Sequence, residues 1–186
     1  MNILGICGSL RKDSFNRKLL HEAAAVLAPE RFEEADLRLP LYDGDLEAAE
    51  GIPPAVQALA DAIAAADGVI IASPEYNKAY SGVLKNALDW VSRVKGNPWE
   101  DKPVAILSAA AGREGGARGQ FALRLALAPF RVRIVPGPEV LVARPAEQFD
   151  PEGRLVGESY RAALEGLMAA LRREIGRSFA HGPESG

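Results

Sequence analysis

The sequence predicts an α/β fold: a three-layer, doubly wound domain on a five-stranded parallel sheet with strand order 2-1-3-4-5. Three observations predict it. Short runs that are almost wholly apolar alternate with longer stretches whose apolar residues recur at helical spacing. The short runs lack a polar face, as strands covered by helices on both sides require. The most polar and glycine-rich loops follow the first, third and fourth of these runs, where open α/β sheets bind ligands.

The elements follow in order. Asn2–Cys7 reads as the first strand, and Phe15–Leu27 as a helix with Phe15, Leu19, Ala23 and either Val26 or Leu27 on one face. Residues 32–37 form a weaker second strand, and residues 39–53 a long acidic loop. Residues 54–66 form a helix, with Val56, Leu59, Ala60 and Ile63 at helical spacing. Gly68–Ala72 is the third strand. It stops at Ser73-Pro74, because proline has no backbone donor to continue a ladder.

Residues 81–94 form a helix that Ser81 can cap. Val83, Leu84, Ala87, Leu88 and Val91 make its core stripe, while Asn86, Trp90, Arg93 and Val94 lie on another face that suits a subunit contact. Residues 103–107 are the fourth strand and Ala117–Leu127 a helix. Residues 131–135 and 139–142 form the last strand, interrupted at Pro136-Gly137-Pro138, and residues 160–175 a closing helix. This alternation is flavodoxin-like, and its topological switch point lies between the loops after strands one and three. One domain covers residues 1–175. Residues 176–186 combine Gly, Pro and Ser without periodicity, and are expected to form a mobile tail.

The chain has 186 residues, 48% of them hydrophobic, and a formal charge of -3. That is enough for one full core, and the charge is too small to argue for nucleic acid or a membrane surface. No apolar run approaches the roughly 20 residues that cross a bilayer. The N-terminus enters a strand directly, without a basic leader, and Cys7 has no second cysteine to pair with. A cytoplasmic protein is expected. Cys7, at the end of a buried strand, reads as inert. His21 and His181 do not sit at metal-ligand spacing.

The first loop, residues 8–16, offers Ser9, Ser14 and Asn16 as short polar groups and Arg11 as a guanidinium. It opens a helix, whose free N–H groups and partial positive charge suit a phosphate. Ser14 capping its helix and Arg11 standing in solvent is the plain alternative. There is neither a dinucleotide fingerprint nor a Walker A sequence. A Gly-x-Ser-x-Gly elbow is also missing, which argues against a hydrolase. The second loop, with Tyr76, Tyr80 and available backbone amides, suits a planar, hydrogen-bonding ring. In the third, residues 108–116, small residues let backbone approach such a ring closely.

The run Pro74-Glu75-Tyr76-Asn77, followed by residues 82–90 (GVLKNALDW), resembles the signature of the NADPH-dependent FMN reductase family. Residues 8–16 (GSLRKDSFN) resemble that family's phosphate loop, and residues 108–116 its second flavin-contacting loop. The chain departs from the family pattern at Ser81, where a proline is usual, and at Lys78-Ala79-Tyr80. The resemblance implies an FMN cofactor held by Ser9, Arg11, Ser14 and Asn16, by Pro74, Glu75, Tyr76 and Asn77, and by Ser108, Gly112 and Gly116. It implies NADPH or NADH as electron donor, and a quinone, azo compound, metal ion or free flavin as acceptor in a ping-pong reaction without a catalytic side chain. Self-association to a dimer or tetramer is implied as well. Arg113 and Lys78 are the cations available for a 2′-phosphate. The competing reading is a non-catalytic electron carrier of the same fold, against which Arg11 and the modest charge speak. A receiver domain would want acidic residues where Cys7-Gly8 stands.

Overall fold

The computed structural model describes residues 1–180. Its strands are β1 (Asn2–Cys7), β2 (Arg31–Glu34), β3 (Gly68–Ala72), β4 (Pro103–Ala110), β5 (Arg133–Ile134) and β6 (Val140–Ala143). The helices are α1 (Phe15–Leu27), α2 (Gly44–Glu50), α3 (Pro54–Ala65), α4 (Gly82–Val91), α5 (Ala117–Leu127) and α6 (Glu158–Ala180). All strand pairings within the sheet are parallel, in the order β2-β1-β3-β4-β5, with β6 also on β4. This is the expected flavodoxin-like order 2-1-3-4-5. The fifth position is shared: β5 pairs with β4 at Pro103 and Val104, and β6 pairs with it from Leu107 to Ala110. Pro136 and Pro138 lie in the gap, where the expected interruption falls.

The period of two along each strand sorts the core into two layers. Ile70, Ala72, Leu107 and Ala109 face α1 and α6, and pack with Leu19, Leu20, Leu167 and Leu171. Val69, Ile71, Val104 and Ile106 face α3, α4 and α5, and pack with Ile63, Leu88 and Leu123. The stripe Val56, Leu59, Ala60 and Ile63 is buried as its spacing predicts. On α1 the open choice resolves to Leu27, which is 1% exposed against 41% for Val26.

Four expectations need correction. The second strand is shorter than residues 32–37, because β2 lies at the sheet edge and only alternate residues gain partial burial. The acidic loop holds α2, capped by Asp43, which accepts from the Asp45 N–H. This helix buries no residue, so it leaves no apolar period to read. Trp90 itself is not available for a subunit contact. Trp90 is fully buried, donates its indole N–H to the Pro40 carbonyl at 2.8 Å, and meets the Tyr42 ring edge-on. Asn86 bonds the same loop at Pro40 and Tyr42, and Arg93 pairs with Glu47. The chain's own acidic segment covers Trp90.

The closing helix is the fourth. α6 runs to Ala180, so residues 176–180 are helical and not tail. Gly176 does not take the left-handed conformation with which glycine ends helices. The rest of the expected tail, His181 included, lies outside the described residues.

Candidate active site

The first loop leaves β1 at Cys7. Gly8 donates its N–H to Ala72 at 2.8 Å, joining the carboxyl ends of β1 and β3. Ser14 occupies the N-cap position of α1, but its hydroxyl makes no capping bond. The first N–H groups of a helix have no partner within it, so here they remain for a ligand. Ser9 and Ser14 are each 4% exposed, whereas Arg11 is exposed. Asn16 has a different task from the expected one. Its amide donates to the Ala109 carbonyl and accepts from the Ala109 N–H, both at 2.9 Å. It clips α1 onto β4 and thereby sets the first loop beside the third.

The second loop is a formed hairpin. Tyr76 and Ala79 exchange backbone hydrogen bonds at 2.9 and 3.0 Å around Asn77 and Lys78, whose φ values are +51° and +66°. Positive φ at both central residues is the type I′ turn that matches strand twist. Asn77 therefore sits at the hairpin tip, away from the pocket that Pro74, Glu75 and Tyr76 line. Glu75 accepts from the Gly119 N–H at 2.8 Å. Ser81 caps α4 as expected, accepting from the Leu84 N–H at 3.2 Å.

The third loop is tightly built at its far end. Ser108 is 1% exposed, donates to the Gly115 carbonyl at 2.7 Å, and accepts from the Gln120 amide at 2.9 Å. Its hydroxyl braces the loop from beneath and does not line the main pocket. Gly115 and Gly116 both have positive φ. A Cβ at Gly116 would lie 2.7 Å from the Ser108 side chain, so this turn requires glycine. Gly112 and Gly116 line a smaller adjoining hollow, not the main pocket.

The main pocket, about 460 Å³, opens at the carboxyl ends of β1, β3, β4 and β6. Ser9, Arg11, Ser14, Asn16, Pro74, Glu75 and Tyr76 all border it, together with Phe15 and residues 109–111. A fourth segment, Arg144-Pro145-Ala146-Glu147, closes the far side. The sequence reading missed this segment. The rule that found the other loops, position after a strand's carboxyl end, applies equally to β6. Arg144 holds left-handed backbone, φ +43°, donates its N–H to Ala110, and has its guanidinium 3.8 Å from Glu147. Another hollow, about 410 Å³, lies at the amino ends of β1 and β2 beside α3, lined largely by alanines. It lacks convergent loops.

Burial pushes the Cys7 thiol up, which keeps it protonated and unreactive. Burial likewise raises the Tyr80 hydroxyl. At the first loop the Arg11 guanidinium and the helix terminus make an anion-ready end. Ala109, Ala110, Ala111, Pro74 and Tyr76 add a weakly polar stretch to the lining. A ligand that carries both an anion and a planar, weakly polar ring matches this donor set.

The sequence model of the NADPH-dependent FMN reductase family matches residues 1–147. The chain is 42% identical over 179 residues to an NAD(P)H-dependent FMN reductase of Pseudomonas aeruginosa, covering 95% of this chain and 96% of that one. It is 37% identical over 182 residues to a quinone reductase of Escherichia coli, again covering 95% and 96%. A solved structure of FerB, a flavoenzyme NAD(P)H:(acceptor) oxidoreductase from Paracoccus denitrificans, superposes with a TM-score of 0.85 at 32% identity, covering 95% and 97% of the two chains. The match over most of the chain, the relatives and the superposition agree, and the chain belongs to the NADPH-dependent FMN reductase family, as an FMN-dependent NAD(P)H oxidoreductase.

Proposed function

We propose that the main pocket holds FMN with its phosphate at the N-terminus of α1 and its ring in the slot formed by Pro74, Glu75, Tyr76 and residues 109–111. The observation that supports this most is convergence: segments at the carboxyl ends of β1, β3 and β4 border one pocket, with a guanidinium and a helix N-terminus beside a weakly polar stretch. Ser9, Arg11 and Ser14 serve the phosphate. Asn16, Ser108, Gly112 and Gly116 serve indirectly, by fixing the loops that the ligand meets. Asn77 acts through the hairpin turn.

FMN, when bound, supplies the two-electron exchange between a nicotinamide nucleotide and the acceptor. The protein's part is to orient the ring, restrict water and aim backbone amides at its polar edge. The donor and the acceptor use the one open side of the pocket in turn, which gives ping-pong kinetics. The likeness to the quinone reductase of Escherichia coli supports a quinone as acceptor. NADPH is the proposed donor, because exposed guanidiniums flank the site. Arg113 is 91% exposed and paired with Glu114 beside the smaller hollow, while Arg144 borders the pocket itself.

The enzyme works as a dimer or tetramer in this reading. Phe121 and Leu125, one turn apart on α5, are 63% and 77% exposed and supply an apolar surface for it. Light scattering at micromolar concentration that returned a monomer mass would reject it. No helix among the described residues is long and apolar enough to cross a membrane. Dependence on NAD(P)H supports a cytoplasmic location.

The test is absorbance. Purified protein reconstituted with FMN should be yellow and should bleach when NADPH is added without oxygen. Protein with no affinity for flavin would overturn the reading.

A further inference from the structure

We propose that Arg17 is a positioning residue that shapes the phosphate loop from behind; this rests on the FMN reading above. Arg17 is the third residue of α1 and does not border the main pocket. Its guanidinium donates from Nη1 to the Arg11 carbonyl at 2.8 Å and from Nη2 to the Ser9 carbonyl at 3.3 Å. Its Nε donates to Glu34 Oε1, on β2, at 2.7 Å. One planar fork thus ties three carbonyls of the first loop, Lys12 included at 3.5 Å from Nη1, to a carboxylate on the neighbouring strand. A lysine ammonium lacks that fixed fork geometry.

The consequence follows from peptide geometry. In a trans peptide unit the C=O and the next N–H point in opposite directions. With the Ser9 and Arg11 carbonyls drawn to Arg17, the N–H groups of Leu10 and Lys12 are turned the other way. Arg17 borders a separate hollow with Cys7, Leu10, Glu34 and Arg38, behind the loop. Ser9, Arg11 and Ser14 border the pocket in front. Carbonyl dipoles, which would repel a phosphate, are held behind, and amide dipoles are left to the front. Glu34 fixes the fork's angle, and its second oxygen lies 2.8 Å from His21 Nε2.

Glu34 makes the idea testable, because two effects differ in sign. If only charge mattered, Glu34→Ala would remove a negative group near the phosphate and tighten FMN. If Arg17 positions the loop, the same change frees the fork and weakens FMN. Dissociation constants for FMN and riboflavin should be measured on the flavin-free protein by fluorescence quenching. Arg17→Ala should weaken FMN about 10-fold or more, and Glu34→Ala about 5-fold, with riboflavin shifted less than about twofold in both. Arg17→Lys keeps the charge and the fold, and should still weaken FMN. The proposal is overturned if Glu34→Ala leaves FMN unchanged or tighter, if FMN and riboflavin shift equally, or if Arg17→Lys matches the unsubstituted protein. Unsubstituted protein that binds neither flavin would instead overturn the FMN reading itself.

Discussion

The Glu75 carboxylate, on the second loop, accepts a hydrogen bond from the Gly119 N–H in the first turn of α5, at 2.8 Å. Gly116, at the N-cap of that helix, has no side chain to cap it. Glu75 performs the cap from another loop, and its negative charge also suits the positive end of the helix. Glu75 therefore holds the second loop against the start of α5.

Glu75→Ala should lower unfolding stability by about 1 kcal/mol, the usual value of a lost cap. Glu75→Gln keeps an acceptor and should lose less. Urea denaturation of the three proteins checks this, and an unchanged midpoint for the alanine variant would show that the bond carries no weight.

Asn16→Leu should be more damaging. It leaves the Ala109 N–H and C=O without partners in a buried setting, at about 1–3 kcal/mol for each group. Thermal unfolding should show a large loss. Flavin affinity measured well below the new midpoint should also fall, because the first and third loops are no longer held in register. Stability lost with affinity intact would separate the clip from the site.

Arg11→Ala should weaken FMN by about 10- to 150-fold, the range for a lost hydrogen bond to a charged group. Riboflavin, which has no phosphate, should be nearly indifferent. Isothermal titration with both ligands decides, and equal losses would place Arg11 away from the phosphate.

Nucleotide preference sets two arginines against each other. If Arg113 meets the 2′-phosphate, Arg113→Ala should raise the Michaelis constant for NADPH and leave that for NADH nearly unchanged. Arg144→Ala should give that pattern if the residue bordering the pocket does the work. Steady-state kinetics of both variants with both nucleotides would show which, and no selectivity in either would mean that the two guanidiniums do not discriminate.

Lys78→Gly should stabilise the fold by about 1 kcal/mol. Lysine at φ +66° carries the left-handed strain that glycine avoids, and Asn-Gly is the favoured pair for this turn. A loss of stability would indicate that the lysine side chain makes compensating contacts.

The sheet order and the pocket's place were legible because both rest on apolar patterning and on where loops follow strands. Val69 to Ala72 could only be a covered strand, and Pro74 had to end it. Long-range polar pairings were not legible. Asn16 read as a phosphate ligand because nothing in sequence tells an amide bound for a ligand from one bound for the Ala109 backbone, 93 positions away. Ser108 read as a flavin contact for the same reason. Trp90 read as exposed because its cover, the segment from Pro40 to Glu47, has no apolar period. Arg144 went unnoticed because the strand before it is only four residues long.

The broken fifth strand bears on how copies of the chain can meet. β5 is two residues long, and the prolines at 136 and 138 offer no N–H between it and β6. The opposite edge, β2, is four residues long and carries charged Arg31, Glu33 and Glu34. Neither border offers the long, flat ladder on which another strand could grow. The fold thus resists edge-to-edge accretion into extended sheets, and leaves helix faces as the surfaces through which it can build a closed assembly.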